Sequence, residues 1–156
     1  MAKSTPATLA LQKAGVAFAL HEYDYDPNAE RIGMQAAEAL CIAPARLLKT
    51  LMAKAGDETV CVLAPSDREV NLKKLASVAG AKQAAMLGAA EAERITGYHV
   101  GGISPFGQKK RVRVFIEQTA LVFPKVVCNG GRRGLQVELA PGDLVRLLDA
   151  TSAELC

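Results

Sequence analysis

Apolar and polar positions change period several times along the chain, and each change marks an element. Thr5 followed by Pro6 reads as an N-cap and first helical residue, with Gly15 as the stop, which predicts a helix over residues 6–14. Val16, Phe18 and Leu20 then alternate with Ala17, Ala19 and His21, the period of two of a strand. Residues 24–30, carrying Pro27-Asn28, break that strand as a turn. The Ala-rich stretch 34–40 reads as a helix, and Pro44 opens a short turn before the strand-like run Leu47-Leu48-Lys49-Thr50-Leu51-Met52. Gly56-Asp57 turns the chain into an apolar strand over 59–64, so residues 47–64 read as a hairpin. Asn71 caps a helix ending at Gly80, residues 83–86 read as a short strand, and residues 89–96 as a helix stopped by Gly97. Strands follow over 111–117, 121–123, 126–128 and 135–139, and an amphipathic helix over 141–149 closes the series. Helices interspersed with hairpins, without strict alternation, predict an α/β fold of the α+β type: a mixed β-sheet with helices packed around it.

The chain has 156 residues, half of them hydrophobic, with no internal repeat, low-complexity tract or linker. One domain over residues 1–156 is the expectation, since folding at this length buries roughly 70% of the unfolded surface without disulfides or a structural metal. No run of 18 apolar residues occurs, and the first twenty residues lack a basic stub followed by an apolar block, so neither a membrane span nor a secretory signal is expected. Cys41, Cys61, Cys128 and Cys156 form no C-x-x-C pair, which argues for reduced thiols in a cytoplasmic protein. With His21 and His99 the only histidines, no metal and no cofactor is expected.

Charge changes the picture more. The net charge is +3, but residues 71–134 hold 11 basic against 3 acidic side chains. A local excess of that size suits a polyanion, because neutralising phosphates drives such association. Aromatic residues make up 4% and Trp is absent, which disfavours a row of stacked bases and favours a structured end or a backbone as the target.

Three places could carry chemistry. The loop Gly101-Gly102-Ile103-Ser104-Pro105-Phe106-Gly107 can bring backbone N–H groups close to an anion or a carbonyl oxygen, although its composition also fits an ordinary turn. Ser104 has no histidine nearby and precedes Pro105, which argues against a nucleophile. Asn129-Gly130-Gly131-Arg132-Arg133-Gly134 adds guanidinium donors to flexible backbone between two strands; phosphate contact and a plain hairpin turn both fit. Lys49 interrupts an apolar hexamer, and either snorkels to water or points its ammonium at a ligand. Cys61 and Cys128 sit in apolar strands with no basic neighbour to hold a thiolate, so they read as small core residues. The stretch Tyr23-Asp24-Tyr25-Asp26 reads as a solvated turn or a pocket rim.

Taken together and in order, these segments resemble the YbaK/EbsC family, specifically its Cys-tRNA(Pro) deacylases, which are related to the editing domain of prolyl-tRNA synthetase. The resemblance runs nearly end to end. It rests on His21-x-Tyr23 with Asp26-Pro27-Asn28, on Lys49-Thr50-Leu51, on Asn71-Leu72-Lys73, on Thr96-Gly97-Tyr98, on the Gly101 to Pro105 loop with Gly107-Gln108-Lys109-Lys110-Arg111, and on Gly130-Gly131-Arg132-Arg133-Gly134-Leu135. It implies a trans-acting editing enzyme that cleaves the ester of a mischarged tRNA, Cys-tRNA(Pro), at the acceptor end of tRNA(Pro), with Cys-tRNA(Cys) as a further candidate substrate. Lys49 would be the functional lysine, and Gly101, Gly102, Ile103, Ser104 and Pro105 would wall the aminoacyl pocket and supply backbone donors. Tyr23, Ile32, Gly33 and Thr50 would line it, and Gly130, Gly131 and Gly134, beside Asn129, would let the chain pass close to the terminal adenosine. Asn129 stands where relatives often place a serine, and Ile32 where some carry a bulkier aromatic. Lys109, Lys110, Arg111, Arg132 and Arg133 are expected on the tRNA backbone, with prolyl-tRNA synthetase as a possible partner that supplies tRNA identity.

The resemblance also implies a route without a protein nucleophile: the thiol of the substrate cysteine attacks its own carbonyl, leaving as a cyclic thiolactone while positioning and oxyanion stabilisation do the rest. Rival readings are an Ala-tRNA(Pro) deacylase using water, a non-catalytic tRNA-binding module, and a small-molecule thioester or nucleotide hydrolase.

Overall fold

A computed structural model describes residues 4–28 and 32–156, with Ile32 and Gly33 described by backbone alone. The turn expected over 24–30 is seen as far as Asn28, and its remainder lies outside the described residues. Helix α1, Pro6–Lys13, starts where its capping residues put it: Thr5 accepts from the Thr8 N–H and Thr8 accepts from the Thr5 N–H, a reciprocal capping box. The helix buries Ala7 and Leu11 completely. The other helices are α2 (Ile32–Leu40), α3 (Leu72–Ala79), α4 (Ala89–Thr96) and α5 (Pro141–Leu148). Helices α3 and α4 end on Gly80 and Gly97 in the left-handed conformation, as their sequences predict.

Two sheets form. In the three-stranded one, β7 (Leu135–Leu139) lies between β1 (Ala19–Glu22) and β6 (Val126–Asn129), both antiparallel to it. In the five-stranded one the order is β4 (Ala84–Met86), β2 (Leu48–Ala55), β3 (Glu58–Pro65), β5 (Arg113–Glu117) and β8 (Thr151–Ala153). Strands β2 and β3 are the predicted hairpin, with Leu48 opposite Pro65, whereas β3–β5 and β5–β8 are parallel. A parallel bridge, Leu47 to Val127, ties the two sheets together.

Strand β3 is buried on both faces, which is why its sequence is a continuous apolar run. Cys61 and Leu63 join Leu11, Met52, Ile116, Cys128, Val137 and Leu144 in a core drawn from both sheets. Val60 and Val62, pointing the other way, pack with Leu75, Phe115 and Leu155.

Three details differ from the sequence reading: the alternating run that starts at Val16 pairs as a strand only from Ala19. Residues 121–123 are no strand: Gln118–Val122 winds as a tight 3-10 turn capped by the Glu117 carboxylate, which accepts from the Thr119 N–H at 3.0 Å. With Val122 80% exposed, no second apolar face was there to pair. The short β8 went unread because its exposed Thr-Ser-Ala carries no alternation. Beyond it, Glu117 accepts from the N–H groups of Leu155 at 2.8 Å and Cys156 at 3.2 Å, clipping the last residues to β5. Among the described residues no helix is long and apolar enough to cross a membrane.

Candidate active site

Strand β4 covers only part of the outer edge of β2, pairing with Ala53, Lys54 and Ala55. Among the described residues, no strand covers residues 48–51 on that side. A cleft of about 660 Å³ opens there, walled by Lys49, Thr50 and Leu51 of β2, by Ala89 and Ala92 of α4, and by Tyr23, Tyr25, Gly101, Ile103, Asn129 and Gln136. Ser66, Asp67 and Glu69, after β3, also line it, with Met34 of α2.

Lys49 does not snorkel to water. Its side chain is 18% exposed, and its Nζ lies 3.6 Å from an oxygen of Glu69, itself 96% exposed. An ion pair with so exposed a carboxylate is weak, so the ammonium can be taken over by a ligand oxygen.

Of the first glycine loop, Gly101 and Ile103 face the cleft, while Gly102, Ser104 and Pro105 are buried behind that wall. A Cβ on Gly102 would stand 2.7 Å from the Arg133 backbone nitrogen, so its glycine serves the close approach of the two loops. Ser104 is spent on structure: its Oγ accepts from the Phe106 N–H at 3.2 Å and its carbonyl from Gln108 Nε2 at 3.0 Å. His21 pairs with Glu138 at 3.0 Å and His99 with Glu93 at 3.6 Å, so neither histidine serves Ser104.

The second glycine loop supports the first. Asn129 donates from Nδ2 to the Gly101 carbonyl at 3.2 Å and to the Arg132 carbonyl at 3.3 Å, while its Oδ1 accepts from the Gly131 N–H at 2.7 Å. Gly130, Gly131 and Gly134 lie outside the cleft wall. Added Cβ atoms there would meet Leu135 Cγ at 2.9 Å, Thr5 Oγ1 at 2.9 Å and the Tyr23 carbonyl at 2.7 Å. Internal packing therefore accounts for all three. The arginines are engaged as well: Arg132 pairs with Glu22 at 2.9 Å, and Arg133 donates from Nε to the Val100 carbonyl at 2.9 Å while lying 5.3 Å over the Tyr25 ring.

Lys109, Lys110 and Arg111 are exposed, but the fold does not bring them to the cleft. The Lys109 and Lys110 N–H groups donate to the carbonyls of Thr96 and Ile95 at the end of α4. That helix turns Ala89 and Ala92 to the cleft, and Arg94 and Ile95 to a separate depression shared with Lys109 and Lys110. The Ile32 side chain and the surroundings of Gly33 lie outside what is described, so neither is placed at the cleft.

Burial pushes the Cys61 thiol up to about 12, outweighing a hydrogen bond from Gln108, and raises Cys128 as well. Both stay protonated at neutral pH, as core thiols do. Burial also raises the Tyr23 phenol, against the opposing pull of a hydrogen bond with Gln136. Among the described residues no three His, Cys, Asp or Glu side chains gather closely enough to hold a metal ion. The sequence reading passed over Gln136. In Leu135-Gln136-Val137-Glu138-Leu139 the alternation puts it on the polar face of a strand, where a buried cleft residue and a solvated one look the same.

The model of the aminoacyl-tRNA editing domain family matches residues 26–147. Over 137 residues the chain is 35% identical to the "Putative Cys-tRNA(Pro)/Cys-tRNA(Cys) deacylase EbsC" of Enterococcus faecalis, spanning 86% of this chain and 83% of that protein. It is 33% identical over 95 residues to the proline–tRNA ligase of Thermoanaerobacter sp. strain X514, covering 60% of this chain but 16% of the ligase. Among solved structures, the "putative trans-editing enzyme for prolyl tRNA synthetase" superposes with a TM-score of 0.83 at 22% identity, covering 97% of each chain. At that identity the match speaks for the fold.

Proposed function

Because the chain belongs to the aminoacyl-tRNA editing domain family, we propose that it cleaves the ester of a mischarged tRNA, with Cys-tRNA(Pro) as substrate and Lys49 as the functional cation. The carrying observation is a cleft that offers an ammonium and a glycine loop and, among the described residues, no histidine beside its hydroxyls: Ser66 Oγ donates to the Leu47 carbonyl, and both histidines pair with glutamates elsewhere. Ser104 is buried and committed, and both core thiols are held protonated. The attacking group then comes from the substrate. The cysteine sulfur, having lost its proton, attacks the carbonyl carbon; the bond to the ribose oxygen breaks, that oxygen takes up a proton, and a thiolactone leaves for water to open. Lys49 and the N–H groups of Gly101 and Ile103 hold the oxyanion or the terminal phosphate in place, with Gly102, Ser104 and Pro105 fixing the loop behind them. Tyr23 and Thr50 bound the aminoacyl end, with Ile32 and Gly33 assigned to the same pocket from the resemblance. The Asn129 loop, with Gly130, Gly131 and Gly134, acts by holding the wall.

Lys109, Lys110 and Arg111 meet the acceptor stem on the far side of α4, with Arg132 and Arg133 nearer the pocket. Charge neutralisation there makes tRNA affinity fall as salt rises. Docking on prolyl-tRNA synthetase would supply tRNA identity. The test is amino-acid release from Cys-tRNA(Pro) and Ala-tRNA(Pro) side by side. Cysteine release alone, with a trappable thiolactone, fits the thiol route. Equal release of alanine assigns the nucleophile to water and overturns it.

A further inference from the structure

Gln136 lies in the middle strand of the three-stranded sheet and is 5% exposed, yet its side chain helps wall the cleft. Its Oε1 has no hydrogen-bond partner. Thr50 Oγ1, on the same cleft, is also buried without a partner. A buried acceptor left unpaired is costly, and native proteins leave few of them. The amide oxygen of Gln136 is an acceptor only and lacks a donor, while the Thr50 hydroxyl can accept or donate.

The donor follows from the chemistry of the substrate already proposed, on which this inference rests. Lys49 and the backbone N–H groups are donors and suit the carbonyl, the ester or a phosphate. The strong donor on an aminoacyl ester is its α-ammonium. Asp67 and Glu69 also line the cleft, but Glu69 is almost fully exposed and already pairs with Lys49, so it offers a screened and weak contact. A shielded amide oxygen gains more from meeting a cation, since hydrogen bonds to charged groups are the stronger ones.

We propose that Gln136 Oε1 receives the α-ammonium of the aminoacyl group. Gln136 is thus a specificity residue that admits esters of free amino acids and rejects those whose nitrogen is acylated, the class to which peptidyl and formylated esters belong.

The experiment compares Cys-tRNA with N-acetyl-Cys-tRNA as substrates of the wild type, Gln136→Met and Gln136→Glu, each rate divided by that of the uncatalysed ester to remove the amine's own activating effect. The wild type should favour the free amine by about tenfold or more, the loss expected when one hydrogen bond to a charge is missing. Gln136→Met should lower kcat/KM on Cys-tRNA by about that factor while changing the N-acetyl rate less than about twofold, and Gln136→Glu, which keeps an acceptor, should preserve the preference. A Gln136→Met variant that loses both substrates equally contradicts the assignment. If that variant does not fold, a folded Gln136→Glu without the preference contradicts it equally. A preference abolished by Asp67→Asn or Glu69→Gln but kept in Gln136→Met moves the ammonium to the mouth of the cleft and also overturns it. Release without any preference in the wild type overturns this inference alone. No release from either tRNA overturns the editing reading and this inference with it.

Discussion

The two glycine-rich loops look alike as sequence and divide their work in the fold. The Gly101 to Pro105 loop presents Gly101 and Ile103 to the cleft, whereas the Asn129 to Gly134 loop turns its glycines inward and grips the first through Asn129. Glycine density shows that backbones come close to something. It does not say whether that something is a ligand or another loop.

Substitutions in the two loops should separate these roles. The largest effect is expected at Gly134→Ala, where φ is +82° and the new Cβ would stand 2.7 Å from the Tyr23 carbonyl oxygen. Strain and a backbone clash together should cost about 2–4 kcal/mol, read as a lowered denaturation midpoint and as lost activity through the wall. Gly101→Ala shares the positive-φ strain, at +92°, but its Cβ meets the end of the Tyr25 side chain at 2.6 Å, which can swing aside, so its stability cost should stay below that of Gly134→Ala. There activity should fall much further than stability, and equal losses would put both loops in one class. Asn129→Ala removes three hydrogen bonds from a buried position and should cost about 1–3 kcal/mol, while Asn129→Ser restores part of it. The smallest effect belongs to Arg132→Ala, whose partly exposed pair with Glu22 is worth about 0–1 kcal/mol in stability.

Arg46, donating at 2.7 Å, and then His21 hold the Glu138 carboxyl below its usual range. At Glu117 burial pushes upward, but N–H donors from Leu155, Thr119 and Cys156 outweigh it and lower that carboxyl too. A carboxyl lowered on folding adds stability that is complete above its unfolded pKa, about 4.3, and fades as pH falls through its folded value. Glu117→Gln should therefore flatten the loss of stability below about pH 4.3, measured by denaturation across pH 2–7.

Most of the fold was legible because its elements carry strong local signals: Thr5-Pro6, Asn71, Gly80 and Gly97 bound helices, and Gly56-Asp57 turns the hairpin. The 3-10 turn over Gln118–Val122 was not, since β-like residues there are overruled by the Glu117 cap. At the site, Lys49 stood out as a cation inside an apolar run, and the Gly101 loop by composition. Gln136 did not, because burial on the polar face of a strand depends on what the neighbouring loops cover. The inward turn of Gly130, Gly131 and Gly134 depends on Thr5, Tyr23 and Leu135, two of them more than a hundred residues away.

The central claim is that a cleft cation, and no protein nucleophile, drives ester cleavage. It is tested most directly by multiple-turnover release of cysteine from Cys-tRNA(Pro) by the wild type, Lys49→Ala, and the double variant Cys61→Ser with Cys128→Ser, with circular dichroism confirming the fold. The account predicts turnover by the wild type, a loss of about a hundredfold in Lys49→Ala, in the range seen when one electrostatic contact to the transition state is removed, and retained turnover in the folded cysteine variant. Full activity in Lys49→Ala, or a folded cysteine variant without activity, would contradict it.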